Sequence, residues 1–204
     1  MQMRTVNPAL HASRRAAIMV AARKCFARNG FHQSSIADIR TVAGISSGTL
    51  FHYFPNKQAL VLAIVASEGE QVALCLSQLA EIADCRDALN LLLQLIAELA
   101  ADGDANALAI EIAAESRRDP DVRALAADND TVLREGLEGL IRAGIARGQV
   151  SNTVDAALVA QWLMSWIDGV FSRVSVDLAF KPMDQLPLMR QLLDMVLTGG
   201  RVMS

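Results

Sequence analysis

The sequence predicts an all-α protein: a three-helix head carrying a helix-turn-helix, then a larger helical body, about nine helices in all. Three observations predict it. No stretch alternates apolar and polar residues between turn signals, so no strand is expected. Helix start and stop signals recur along the whole chain. Hydrophobic residues make up 52 % of the 204 residues, yet aromatics only 4 %. Ala and Leu, both good helix formers, fill the gap. That much apolar surface supports a sizeable core and excludes wholesale disorder.

The first helix should run from about Pro8 to Asn29, with Ile18, Ala22, Cys25 and Phe26 on one face. Gly30 follows where a left-handed cap is wanted. Ser35-Ile-Ala-Asp38 has the spacing of a capping box and opens a short second helix ending at Gly44. Ser46 is placed to cap a third, Ser47 to Tyr53, which Pro55 stops, and Asn56 to cap a fourth. Ile36, Ile39, Val42, Ile45 and Leu50 can form a small shared core.

Beyond residue 60 the helices lengthen, with breaks at Ala83–Asp87 and Asp102–Asp104. Asp119-Pro120 is a strong start, because proline in the first turn loses no needed N–H. That helix should reach Arg147, with Gly148 past its end. Asn152 to Asp155 starts another, with Val154, Leu158, Trp162, Trp166, Val170 and Phe171 as its stripe, until Lys181-Pro182 breaks it. The last, about Asp184 to Thr198, is apolar nearly all round. Such a helix is buried on several sides, and at a chain end this suggests a second subunit. The expected division is a head of residues 1–57 and a body of residues 58–204.

A formal charge of -3 looks uninformative until it is split. Residues 1–60 carry Arg4, Arg14, Arg15, Arg23, Lys24, Arg28, Arg40 and Lys57 against the single acid Asp38, a net +7. The rest of the chain is net -10. A basic head on an acidic body points to a polyanion facing the head. Met1 to Arg15 has no apolar signal core, and the longest charge-free stretch, Thr41 to Asn56, falls short of a membrane span. The expectation is a soluble, cytoplasmic protein with no membrane partner. Cys25, Cys75 and Cys85 are odd in number and lack CxxC spacing, so they read as reduced thiols packed as small hydrophobes. Of these, the 75/85 pair is the better candidate for a redox sensor.

Ser34 to Lys57, SSIADIRTVAGISSGTLFHYFPNK, has the form helix, glycine turn, short helix. In a helix-turn-helix the second helix lies in the major groove of DNA. Here it opens with small polar residues, Ser46, Ser47, Gly48 and Thr49, whose N–H groups and dipole favour phosphate. His52, Tyr53 and Lys57 follow. The arginines and lysine of the first helix add non-specific attraction to the backbone.

Residues Arg14 to Leu60 resemble the DNA-binding domain of the TetR family of bacterial transcriptional regulators. The resemblance rests on the Ile18…Ala22…Phe26 helix, Asn29-Gly30-Phe31, Ser34-Ser35-Ile36-x-Asp38-Ile39, Ala43-Gly44-Ile45-Ser46-x-Gly48-x-Leu50 and Tyr53-Phe54-x-Asn56-Lys57-x-x-Leu60. The stretch Arg117-Arg118-Asp119-Pro120 through Arg147-Gly148, then Asp168-Gly169, is similar to the C-terminal domain of one large subgroup. The resemblance implies a homodimer with a ligand-binding and dimerisation body, whose last two helices pair across the dimer. It implies a repressor that binds an inverted-repeat operator and is released by a small-molecule effector of unknown identity. Ser47, Gly48 and Thr49 would face bases or nearby phosphates. His52, Tyr53, Lys57 and Ser35 would hold phosphate. Phe51 replaces the usual Tyr, which removes a hydroxyl. Arg40 replaces the usual Ala, adding a charge within reach of the backbone.

Other readings compete at single residues. Phe51 reads as head core rather than a base wedge. His52 is read as a phosphate or base contact against a solvated histidine, and Arg14 and Arg15 as phosphate contacts or a solvated face. Trp162 and Trp166 are core or interface residues, or line a ligand pocket. Glu111, in an apolar run, could face a cationic effector or simply be exposed or salt-bridged. The expected dimer contacts are Leu158, Trp162, Phe171, Met189, Leu193 and Val196. No cofactor or metal is expected, since no ligand set stands at metal spacing. An enzyme on a helical bundle finds no catalytic triad, no ExxH pair and no phosphate loop. A helical ligand-binding protein without DNA binding remains the other alternative.

Overall fold

The computed structural model describes residues 8–199, so Arg4 lies outside the described residues. The described residues form nine α-helices and no strand: α1 Pro8–Gln33, α2 Ile36–Ala43, α3 Ser47–Tyr53, α4 Lys57–Ala80, α5 Cys85–Ala101, α6 Gly103–Glu115, α7 Pro120–Ala146, α8 Ala156–Val176 and α9 Pro182–Leu197. Short polar side chains start most of them. Ser35 with Asp38 forms the capping box of α2, and Ser46 and Asn56 cap α3 and α4. Asp84, Asp102, Asp119 and Asp155 cap α5 to α8. Each accepts backbone N–H groups that the first turn leaves without helical partners.

The first helix does not stop at Asn29. Its last turn continues to Gln33 across a break at Gly30, where φ is 73° and ψ 168°. That is not the left-handed cap expected, but a conformation essentially confined to glycine. The cap of α2 is left-handed: Gly44 has φ 64° and ψ 35°.

Two apolar clusters organise the molecule. In the head, Ile18, Phe26, Phe31, Ile39, Leu50 and Phe54 pack with Leu60, Val61, Ile64 and Val65 of α4. Leu108 of α6 and Val122 of α7 join the same cluster. The division expected between 57 and 58 coincides with the start of α4, but the packing runs straight through it. In the body, Leu76 and Leu79 of α4 join the inner faces of α5, α7, α8 and α9. The helix α4 packs most extensively against α7. It is long and apolar enough to span a membrane by composition, yet its apolar residues serve these two cores in succession.

Three apolar assignments need correction. Val42 is exposed, not part of the head core. Phe51 is 49 % exposed, and the core place expected for it belongs to Phe54, 2 % exposed. In α8 the inner stripe is Val159, Ala160, Leu163, Ile167 and Val170. Most of the stripe read from the sequence lies off it: Leu158 and Trp162 face outward, and Trp166 is half-buried against the core. Two apolar stripes run along this helix, and periodicity does not say which one turns inward.

All three cysteines are free. Burial pushes each thiol above its ordinary value, which disfavours the reactive thiolate.

Candidate nucleic-acid interface

The helix α3 is held by one apolar anchor and one cap. Leu50 is fully buried beneath it. The Ser46 hydroxyl accepts the Thr49 N–H at 3.1 Å and lies 2.9 Å from the Thr49 hydroxyl. Leu50 packs α3 into the cluster that holds Ile39 of α2, and the cap engages Ser46 and Thr49 within α3's own first turn. Ser35 is engaged in the same way: its hydroxyl donates to Asp38 Oδ2 at 2.6 Å and accepts the Asp38 N–H at 3.1 Å. Those bonds hold the Asp38 carboxyl below its ordinary range, the Ser35 hydroxyl contributing most.

The outward face of α3 is therefore Ser47, Gly48, Phe51 and His52, all exposed. A Cβ at Gly48 would meet only the Ser46 hydroxyl, at 3.9 Å. The head has room for a side chain there, so its own packing does not require glycine. A bare backbone suits close approach of another molecule. Tyr53 is half-buried, its ring centroid 4.5 Å from that of His11 on α1 and 5.2 Å from that of His52. Arg14 lines a crevice of about 380 Å³ with Gly44, Ser46 and Thr49, which sets it beside the turn between α2 and α3. Arg40 is exposed on α2.

Other basic residues are engaged elsewhere. Arg23 pairs with Glu68 and donates to Ser67 of α4. The Arg15 guanidinium lies over the Phe54 ring, 5.1 Å from its centroid. Lys57, expected as a phosphate contact, donates in the free chain to the carbonyls of Phe31, His32 and Ser34 at 2.8, 3.3 and 3.3 Å. All three ammonium protons find partners at the end of α1. Sequence spacing cannot show this, because the acceptors are backbone groups more than twenty residues away.

The three candidate pocket residues are not brought together as a lining. Glu111 accepts the Phe31 N–H at 3.0 Å, at the junction of head and body. Trp162 faces outward and Trp166 packs against the body core. A cavity the sequence did not reveal, of about 330 Å³ and mostly apolar, lies between α4, α5 and α7. Leu76, Ala80, Cys85, Gly139, Leu140 and Arg147 line it. Among the expected dimer residues, Leu158 and Trp162 face outward, Phe171 and Val196 are half-buried, and Met189 and Leu193 are buried in the protomer's own core. The exposed large apolar residues of α9 are Met183, Leu188, Leu192 and Met195. A helix apolar all round conceals which side its own chain has taken.

Comparison with known proteins agrees with this geometry at both ends of the chain. Residues 18–64 match the family model for bacterial regulatory proteins of the tetR family. Residues 85–198 match that for the C-terminal domain of BetI-type transcriptional repressors. The chain is 35 % identical over 78 residues to the HTH-type transcriptional repressor Rv1474c of Mycobacterium tuberculosis, a match covering 38 % of this chain and 42 % of that protein. The match thus spans less than half the length of that relative. The fold superposes on Salmonella enterica GusR with a TM-score of 0.77 and 28 % identity, covering 96 % of this chain and 99 % of that one. It superposes on a transcriptional regulator from Saccharomonospora viridis in complex with choline with a TM-score of 0.75 and 27 % identity, covering 90 % and 94 %. With a helix-turn-helix at its head and a family model matched over more than half its length, the chain belongs to the TetR family of bacterial transcriptional regulators.

Proposed function

We propose that the protein is a cytoplasmic, non-enzymatic transcriptional repressor that binds an inverted-repeat operator as a homodimer and is released by a small-molecule effector. The observation that carries this reading is the outward face of α3. Its Ser47, Gly48, Phe51 and His52 are exposed on a helix anchored by the buried Leu50 and capped by Ser46, with Arg14 beside it. Arg14 and Arg40 supply phosphate attraction, and the acidic body repels DNA everywhere else.

Two copies would pair through the outward apolar residues Leu158 and Trp162 of α8 and Leu188, Leu192 and Met195 of α9. Pairing in this way presents two α3 helices to successive major grooves, ~34–36 Å apart. The cavity between α4, α5 and α7 supports binding of a small molecule in the body, as does the choline held by the Saccharomonospora regulator. Such a molecule acts only if it binds the conformation that does not fit DNA better than the one that does.

Gel shifts of the full chain across a genomic fragment library test the reading. The expected result is a discrete shift of one or a few fragments that survives competitor DNA. Uniform weak binding to every fragment, or none at low salt, overturns it.

A further inference from the structure

We infer that Glu111 is a positioning residue that locks the head to the body at the Gly30–Phe31 peptide, so that displacement of α6 resets the angle of the head. The inference rests on the regulator reading above and deepens it, by naming the contact through which the body controls the head.

The observations converge on one peptide unit. From α6, Glu111 Oε2 accepts the Phe31 N–H at 3.0 Å. Gly30 holds a conformation open essentially to glycine alone. A Cβ there would lie 3.0 to 3.2 Å from three atoms of the Glu111 carboxyl. The glycine thus serves both the bend and the approach of the carboxylate. On the other side of the same residue, the Phe31 carbonyl accepts Lys57 Nζ from the start of α4 at 2.8 Å. Phe31 is therefore clamped between an anion from α6 and a cation from α4. Both bonds are charge-assisted and among the stronger kinds. One turn further along α6, Glu115 meets His32 at 2.9 Å.

The surrounding packing explains why this clamp sets the geometry. Leu108 and Ile112 of α6 and Val122 and Leu125 of α7 pack into the head cluster. Apolar contact is non-directional and tolerates sliding. A hydrogen bond is not tolerant: a separation that grows from 3.0 Å beyond about 3.5 Å no longer counts as one. An open crevice of about 520 Å³, lined by Arg28, Gly30, Gln33, Asn106, Ile110 and Glu111, leaves room for relative movement of α1 and α6. The shared packing alone does not fix the relative placement of α1 and α6 as tightly as the directional Glu111 contact does.

The test is hydrogen exchange on the full free chain, followed by DNA binding. Glu111→Ala removes the acceptor, Glu111→Asp retains the charge but shortens the reach, and Glu111→Gln retains an acceptor oxygen at the same reach. With Ala and Asp, exchange at the Phe31 amide should quicken roughly tenfold or more, while amides of Leu50 to Tyr53 stay unchanged. Affinity for the specific fragment should fall by about tenfold, with weak low-salt binding to a random duplex retained. Glu111→Gln should fall between the aspartate variant and wild type, since a neutral acceptor at the same reach replaces a charged one. Glu111→Met, which fills the space with no oxygen acceptor, should behave like the alanine variant, whereas a merely space-filling role would leave it like wild type. If the alanine variant fails to fold, the Asp and Gln pair decides. Unchanged Phe31 exchange in the Asp variant overturns the clamp. Faster exchange with specific affinity intact overturns its control of the head. If the wild-type chain itself shifts no fragment, the regulator reading falls, and the exchange result still decides whether Glu111 holds the junction.

Discussion

The basic residues of the head divide into two regions with opposite fates. Around the turn between α2 and α3, Arg14 and Arg40 are exposed. Along the seam with α4, Arg23 is paired with Glu68 and Lys57 is bound to three carbonyls. Composition counts all four as equal contributions to a net +7. Among the described residues of the free chain, the charges of Arg14 and Arg40 are left unneutralised and undirected, whereas those of Arg23 and Lys57 are engaged within the chain. A count of basic residues is therefore an upper bound on the charges left free to meet phosphate.

The largest expected effect separates the two regions directly. Arg14→Ala with Arg40→Ala should lower the slope of log affinity against log salt by about 0.9 for each phosphate no longer neutralised, about 3.6 for a dimer in which four are freed. The melting temperature should barely move, since both side chains are exposed. Equilibrium binding at several salt concentrations beside calorimetry checks this, and an unchanged slope would erase the distinction. Lys57→Ala should do the reverse. Losing a charge-assisted bond to the end of α1 costs about 1.5–3 kcal/mol, seen as earlier denaturant unfolding, with the salt slope unchanged. A slope lower by about one unit per site would return Lys57 to the DNA surface.

A smaller effect concerns the cap between the regions. Ser35→Ala should cost about 1 kcal/mol, measured by denaturant titration near neutral pH. It should also alter the acid response. The Ser35 bonds hold the Asp38 carboxyl below its ordinary 3.8. That contribution is fully present above the unfolded value and is lost as pH falls through the lower folded one. The variant should therefore lose less stability between about pH 5 and 2 than wild type does. Asp119 and Asp177 are lowered too and retain their share, while burial raises Asp168 and gives the opposite slope. An identical acid profile in the two proteins would mean that Ser35 does not govern Asp38.

What could be read in advance was local. Ser35, Ser46, Asn56, Asp119 and Asp155 announce helix starts because a cap and its N–H lie within three residues. The helix-turn-helix was legible for the same reason, its turn and caps being contiguous. Choices between faces were not legible. Phe51 and Phe54 are three apart on a short apolar segment, and only the docked α1 and α4 decide that Phe54 goes in. Met189 and Leu193 belong to the protomer's own core, and nothing in the sequence of α9 says that its own chain covers that side. Glu111 is the sharpest case. Its partner is a backbone N–H eighty residues away, which leaves no side-chain signature.

The helix α4 enters both apolar clusters without a break, and its 24 residues make it about 36 Å long. It is a rod with one end in each compartment. A tilt of only about 5° about one end carries the other through about 3 Å, close to the rise of one base pair. In a dimeric regulator of the kind proposed, such a tilt would shift each α3 against its groove by about one base-pair step.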